Sequence, residues 1–209
     1  MYELLKRIVD IVGSIVGIIL FSIPMSAVAI FIKTVSPEGP VFADTKKRVG
    51  RDGREFTMLK FRSMKPNAQE WLKSQPELYK KYQDNGYKLD PDPRLIKGGN
   101  FLRKTSIDEL PQFFNVLAGT MSLVGHRAYF KYELDEQCER YPEAKKYVDD
   151  VLTTKPGMTG PWQIGGRSTV GFMERVKMDS DYAKCRSVLY DLLVILKTPY
   201  VVLTRRGAV

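Results

Sequence analysis

No charged residue occurs between Asp10 and Lys33, and the run from Ile11 to Ile32 is long enough to cross a hydrocarbon core of roughly 30 Å as one helix. Such a run commits the chain either to a membrane contact or to a cleaved leader. A single transmembrane span is the plain reading, but two features favour a re-entrant helix. Pro24 removes one backbone donor and crowds the carbonyl one turn earlier, so a kink or break is expected there, with Ser22 beside it. Basic residues also flank both ends, with Lys6 and Arg7 before the run and Lys33, Lys46, Lys47, Arg48, Arg51 and Arg54 after it. A straight span would place one basic flank outside, against the positive-inside tendency, whereas a re-entrant helix keeps both on the cytoplasmic side. Ala27-Val28-Ala29 fits the cleavage pattern of a secretory leader, but the apolar run continues past it through Ile30, Phe31 and Ile32.

The 209 residues, 44% of them apolar, suffice for one substantial core. A formal charge of +9 calls for an anionic partner: nucleic acid, an anionic lipid membrane or phosphorylated small molecules. Cys138 and Cys185 lie far apart and His126 is the sole histidine, which excludes a Cys/His zinc site; the cysteine pair suits a reducing cytoplasm. No nucleic-acid-binding motif is present and the apolar N-terminus fits a soluble binder poorly, so nucleic acid is not expected as a partner.

Ser36-Pro37-Glu38-Gly39-Pro40 closes the apolar segment and divides the chain into a membrane helix over 1–35 and a catalytic or binding domain over 36–209, together one functional unit. Val41-Phe42 and Glu55 to Phe61 read as short strands around the turn Gly50-Arg51-Asp52-Gly53, a small β-hairpin. Ala68 to Tyr82 favours helix, and an Asp/Pro/Gly-rich loop follows through Asp90-Pro91-Asp92-Pro93-Arg94. Further helices are expected from near Ser106, carrying Leu110, Phe113, Phe114 and Leu117, and over roughly Tyr129 to Tyr147. A last one, Ser187 to Leu203, would either pack inside or lie in the membrane interface. The expected fold is α+β and mainly helical, with a re-entrant N-terminal membrane helix, amphipathic interfacial helices and a small β-hairpin.

Chemistry concentrates in Thr105-Ser106-Ile107-Asp108-Glu109-Leu110-Pro111. Ser106 with Glu109 forms a capping-box pattern, Asp108 would favour the positive end of a helix, and Pro111 in a first turn would make Asp108 itself the N-cap. On these residues alone a cap is the leading reading and catalysis the alternative. Arg103 and Lys104 precede the acidic pair; Lys60, Arg62, Arg127 and Arg167 lie in other short blocks, and together they could surround a diphosphate. Taken singly, each reads as a solvated surface charge.

The blocks Lys6-Arg7-Ile8-Val9-Asp10, Ser36 to Phe42, Arg48-Val49-Gly50-Arg51-Asp52-Gly53, Lys60-Phe61-Arg62-Ser63-Met64, Asp92-Pro93-Arg94, Leu102 to Gln112, Met121-Ser122-Leu123-Val124-Gly125, Lys155 to Gly160 and Gln163 through Gly166-Arg167 occur in one order. Through them the chain resembles, over nearly its whole length, the bacterial sugar transferases, also called monotopic phosphoglycosyl transferases. The resemblance implies a re-entrant helix broken at Pro24 and an active site at the cytoplasmic face of the bacterial inner membrane. It implies transfer of a sugar-1-phosphate from a UDP-sugar to polyprenyl (undecaprenyl) phosphate, with release of UMP, in glycoconjugate synthesis. It further implies Mg²⁺, with Mn²⁺ as an alternative, and an Asp-Glu pair. Carried over by position, Asp108 matches the nucleophile, Glu109 the metal-associated carboxylate and Arg103 the basic residue beside them. Lys60, Arg62, Arg127, Gln163 and Arg167 sit in matching blocks as substrate contacts.

Three departures accompany the resemblance. The usual Ser-Pro is Ser22-Ile23-Pro24, and the usual Pro-Arg-Pro is His126-Arg127-Ala128, which removes two φ restraints. The block after Phe42 reads Ala43-Asp44-Thr45-Lys46-Lys47-Arg48 in place of a pattern with glutamine, so a contact there is expected to be missing. His126 reads either as a phosphate contact or, preferably, as an ordinary loop histidine. These departures prompt a rival reading, a catalytically degenerate basic protein that binds partners at a membrane. The start resembles small family members and the ending Arg205-Arg206-Gly207-Ala208-Val209 also resembles larger ones. Neither the sugar nor the oligomer follows from the sequence, and a homodimer stays open.

Overall fold

Asp10, Ser14, Gly17, Phe21, Met25, Val28 and Ile32 recur every three or four residues, and this is the face that helix α1 (Tyr2–Val35) turns toward the rest of the protein. The structure, a computed structural model, describes residues 1–43, 47–85, 89–166 and 170–204. α1 runs through Pro24 without interruption, which corrects the expected break. Ser22 Oγ donates to the Ile19 carbonyl at 2.8 Å and Ser26 Oγ to the Ser22 carbonyl at 2.9 Å, so both hydroxyls near the proline fold back onto the helix's own carbonyls. Packing holds both sides of the site: Phe21 stacks on Phe113 at 6.0 Å, and Met25 joins Phe61 and Leu102. Gly17 lets the Phe113 ring approach, since a Cβ there would lie 2.5 Å from it.

The two ends of α1 are tied to the same body. At the start, Lys6 pairs with Asp191 at 2.8 Å, Arg7 donates to the carbonyls of Val116 and Leu117, and buried Asp10 accepts from Ser122 Oγ and the Leu123 N–H, each at 2.9 Å. These bonds build the segment before Ala29 into the fold, which opposes the leader reading. At the other end, buried Arg62 closes the turn after the helix: it donates to the Pro40 carbonyl at 2.6 Å, Ser36 Oγ at 2.7 Å, the Ser36 carbonyl at 2.6 Å and the Met64 carbonyl at 3.3 Å.

The hairpin forms in two pieces. β1 (Arg48–Val49) pairs antiparallel with β2 (Glu55–Phe56), while Phe42 bridges Phe61 farther along. The expected contact after Phe42 falls at residues 44–46, outside those described. β3 (Ser122–Val124) and β4 (Gly157–Thr159) form a parallel pair that the sequence did not announce. Here Gly157 is required by close approach, because a Cβ would lie 2.1 Å from the Gly125 nitrogen.

Prolines cut the expected helices. The first becomes α2 (Ala68–Lys73) and α3 (Pro76–Asp84), with Pro76 starting the second piece. α4 (Gly99–Lys104) precedes α5 (Gln112–Ala118), and the charged segment divides at Pro142 into α6 (Lys131–Arg140) and α7 (Lys145–Leu152). α8 (Pro161–Ile164), α9 (Phe172–Cys185) and α10 (Val188–Leu203) complete the body. Ser187 caps α10, its Oγ accepting the Tyr190 N–H at 3.2 Å.

The protein is thus mainly helical with two small two-stranded sheets. Among the described residues α1 is the one helix long and apolar enough to cross a membrane. Its outer face exposes Ile8, Val12, Ile15, Ile19, Ile23 and Ile30, and α10 exposes Leu189, Leu193, Leu196 and Leu203. Such an apolar surface marks a membrane protein.

Candidate active site

Asp108 and Glu109 lie on a single 3₁₀ turn, Ile107–Glu109, wedged between α4 and α5. The capping readings fail here. Ser106 precedes the turn with no side-chain cap bond, and the residue capping α5 is Pro111. The Asp108 carboxylate is therefore free of helix-terminal duty. It is 1% exposed, and its Oδ1 has no hydrogen-bond partner among the described residues.

The Phe61 N–H donates to the Asp108 carbonyl at 2.8 Å, which fastens the turn to the strand segment carrying Lys60. Lys60 Nζ then stands 3.0 Å from Asp108 Oδ2 and 3.1 Å from Glu109 Oε1. The contact to Oδ2 is an ion pair whose angle is poor for a hydrogen bond. Burial raises the Asp108 pKa above the ordinary carboxylate range; Lys60 opposes this, and the neighbouring charge of Glu109 reinforces it. Lys60 is raised as well: burial pulls it down, but Glu109 and Asp108 outweigh that pull.

Arg103 is less intimate with the pair than its block suggested. Its Nη1 lies 3.8 Å from Asp92 Oδ2, and it acts on Asp108 as a field that lowers the carboxyl. Arg62 is not brought to the pair at all, since main-chain carbonyls and Ser36 take its guanidinium. Arg127 Nη1 donates to both oxygens of Glu133, each at 2.9 Å. Gln163 is buried in α8, which packs on β4, α9 and α10, whereas the acidic pair sits before α5. Arg167 lies outside the described residues.

Arg48 is the residue that sequence reasoning passed over as one of a basic flank. Its guanidinium lies 3.3 Å from the centre of the Phe130 ring, and Nη1 donates to the Ala128 carbonyl at 2.9 Å. Burial and the neighbouring Arg127 charge bring its pKa down to about 10, against the pull of Glu133, Tyr132 and Glu109. Its place in an ordered block with Val49 and Gly50 was the available signal.

No group of three or more His, Cys, Asp or Glu is gathered for a metal among the described residues. A divalent cation here would have the Glu109 carboxylate, completed by phosphate oxygens and water. That donor set suits Mg²⁺, which holds few carboxylates and keeps waters.

An apolar helix is laid along a mainly helical body, and a carboxylate pair is bridged there by Lys60. The chain belongs to the bacterial sugar transferase family, whose model matches residues 1–205. It is 43% identical over 208 residues to the UDP-galactose-lipid carrier transferase of Erwinia amylovora, covering 98% of this chain and 41% of that protein. Over 207 residues it is 43% identical to the undecaprenyl-phosphate galactose phosphotransferase of Salmonella typhimurium, covering 98% and 41%. To the exopolysaccharide production protein ExoY of Sinorhizobium fredii it is 37% identical over 207 residues, covering 97% of this chain and 87% of that one. The chain spans about two fifths of the length of the first two relatives.

Proposed function

We propose that this chain transfers a sugar-1-phosphate from a UDP-sugar to undecaprenyl or another polyprenyl phosphate, releasing UMP, at the cytoplasmic face of the bacterial inner membrane. The observation that carries the reading is Asp108: a carboxylate only 1% exposed, with Oδ1 lacking any hydrogen-bond partner among the described residues, costs the fold stability and is the kind of group found where chemistry is done. Membership of the family and the names of the relatives supply the reaction class.

Asp108 Oδ1 attacks the sugar-bearing phosphorus, a P–O bond to UMP breaks, and UMP leaves with the electron pair. A phosphoryl-linked sugar stays on the carboxylate as an acyl phosphate. An oxygen of the polyprenyl phosphate then attacks the same phosphorus and returns Asp108 as carboxylate. Lys60 neutralises the pair while two anions approach, with Arg103 and Arg48 adding positive field. Glu109 would hold Mg²⁺, which when bound supplies charge neutralisation at the diphosphate. Arg127, oriented by the Glu133 carboxylate at Nη1, is a phosphate contact through its other guanidinium nitrogens.

A re-entrant placement of α1 suits this chemistry, because a lipid phosphate lies at headgroup level. A straight helix of 34 residues is about 51 Å long, and crossing the bilayer would carry one end away from the body. Lys6 at one end and Ile32 at the other are both held by that body, which supports the reading.

The test is UMP release by the detergent-solubilised chain given Mg²⁺, polyprenyl phosphate and each common UDP-sugar in turn. Release with one donor is the expected result. None with any donor, from folded protein, would favour the catalytically degenerate alternative.

A further inference from the structure

Arg127 stands between His126 and Ala128, neither of which restricts φ as proline would. Its main chain is nonetheless held at both polar atoms by buried side chains. Asp179 Oδ2 accepts the Arg127 N–H at 3.2 Å, and His126 Nδ1 lies 2.7 Å from the Arg127 carbonyl. The neighbouring carbonyls are taken too: Gly157 N–H on His126, Arg48 Nη1 on Ala128 and Val49 N–H on Tyr129, each at 2.9 Å. The His126 ring is fully buried and stacks on Tyr129 at 6.3 Å, and the Tyr129 hydroxyl donates to the same Asp179 oxygen at 3.1 Å. Histidine, tyrosine, aspartate and the Arg127 peptide thus form a closed ring of contacts.

The proton on the imidazole can be placed. Both ring nitrogens face carbonyls, Arg127 at 2.7 Å and Thr154 at 3.3 Å, and carbonyls only accept. Burial drives the ring's pKa down to about 4, so it carries one proton at neutral pH. The shorter contact takes that proton.

We propose that His126 is a positioning residue: as the neutral Nδ1–H tautomer it donates to the Arg127 carbonyl and, with Asp179 on the amide, fixes the peptide from which Arg127 reaches a substrate phosphate. This rests on Arg127 being such a contact. The role was invisible in sequence, where His126 read as an ordinary loop residue or as a phosphate contact itself.

His126 is the only histidine, so ¹⁵N-histidine labelling of the whole chain in detergent gives one imidazole with no assignment step. The expected spectrum shows a protonated Nδ1 and a bare Nε2 from pH 6 to 8.5. An Nε2–H tautomer, or titration in that range, overturns the proposal. Binding of UDP with Mg²⁺, measured by calorimetry, supplies the second readout. His126→Asn retains a donor near Nδ1 and should bind UDP within about threefold of the parent, whereas His126→Phe retains the stack without the donor and should weaken binding about tenfold. Added to Arg127→Ala, His126→Phe should weaken binding no further, as coupling through one residue requires. An equal loss in both backgrounds overturns the positioning role. If Arg127→Ala alone leaves UDP binding unchanged, or the parent fails to bind UDP, the reading of Arg127 falls and takes the positioning role with it, while the spectrum still reports the bond. Should His126→Phe not fold, His126→Gln moves the donor toward Nε2 and is expected to show the tenfold loss.

Discussion

Lys60 Nζ lies 3.0 Å from Asp108 Oδ2 and 3.1 Å from Glu109 Oε1, so one ammonium spans both carboxylates of the adjacent pair. Its charge opposes the rise that burial imposes on Asp108. Replacement by methionine keeps the stem and removes the charge, and should lower UMP release roughly 10²-fold or more. The sign of the pH effect follows: without Lys60 the Asp108 carboxyl rises further, and because the ionised form attacks, the acidic limb of the rate profile moves to higher pH. A limb that stays in place would detach Lys60 from the nucleophile.

Asp108→Asn keeps the shape and removes the anion. It should abolish both UMP release in the absence of lipid and the sugar-phosphate adduct seen by intact-protein mass spectrometry. Because the buried carboxylate lacks a partner for Oδ1, stability should hold or rise by about 1 kcal/mol. UMP formation only when both substrates are present would indicate direct transfer without the intermediate. Glu109→Gln should slow both halves, with excess Mg²⁺ restoring part of the rate.

Arg62 provides the contrast. Its guanidinium donates to three carbonyls and a hydroxyl around the turn that follows α1. Arg62→Leu leaves these acceptors buried and should destabilise the protein by at least about 3 kcal/mol, read as an earlier denaturant midpoint. Intact stability with lost turnover would instead place Arg62 on substrate.

Burial pushes the Asp179 carboxyl up to about 7, against the pull of the Arg127 N–H and the Tyr129 hydroxyl. The folded state therefore retains a proton that the unfolded chain has lost above its ordinary value near 4. Stability should fall as pH rises from about 4 to 7, by at most about 1.4 kcal/mol per pH unit from this group, and level off above. Urea titrations of the parent and of Asp179→Asn should differ by a flatter pH dependence in the variant. Parallel curves would show that Asp179 ionises normally.

Membrane topology is open to labelling. With Cys138 and Cys185 replaced by serine, cysteines introduced at positions 3 and 38 should both resist an impermeant reagent applied outside the cell and react once the membrane is opened. Reaction of one of them from outside would establish a true span.

Much of this protein was legible in its sequence because the information was local. The uncharged run, the helix from Ser187 to Leu203 and a hairpin about the 50–53 turn each depend on neighbours within a few residues, and each appears in the fold, although the first strand is Arg48–Val49 and Val41-Phe42 contributes only a bridge. The acidic pair was visible for the same reason, as were the prolines at 76 and 142, although their power to cut the expected helices was not weighed. Tertiary structure decided the partners. Arg62 and Lys60 sit two residues apart in one block, and sequence offered no ground for sending one to the Ser36 turn and the other to Asp108. Pairing of Ser122 with Gly157, of Lys6 with Asp191 and of Arg127 with Asp179 joins residues distant along the chain. Pro24 shows the same division: its ring dictates a missing donor, yet the helix continues through it with Phe21 and Met25 packed on the body on either side. Short-range preferences are set by each residue's own dihedral freedom and hydrogen-bonding groups. The target of a long charged side chain is set by which surfaces the folded chain buries together, because desolvation leaves each buried charge dependent on whatever partner packing provides.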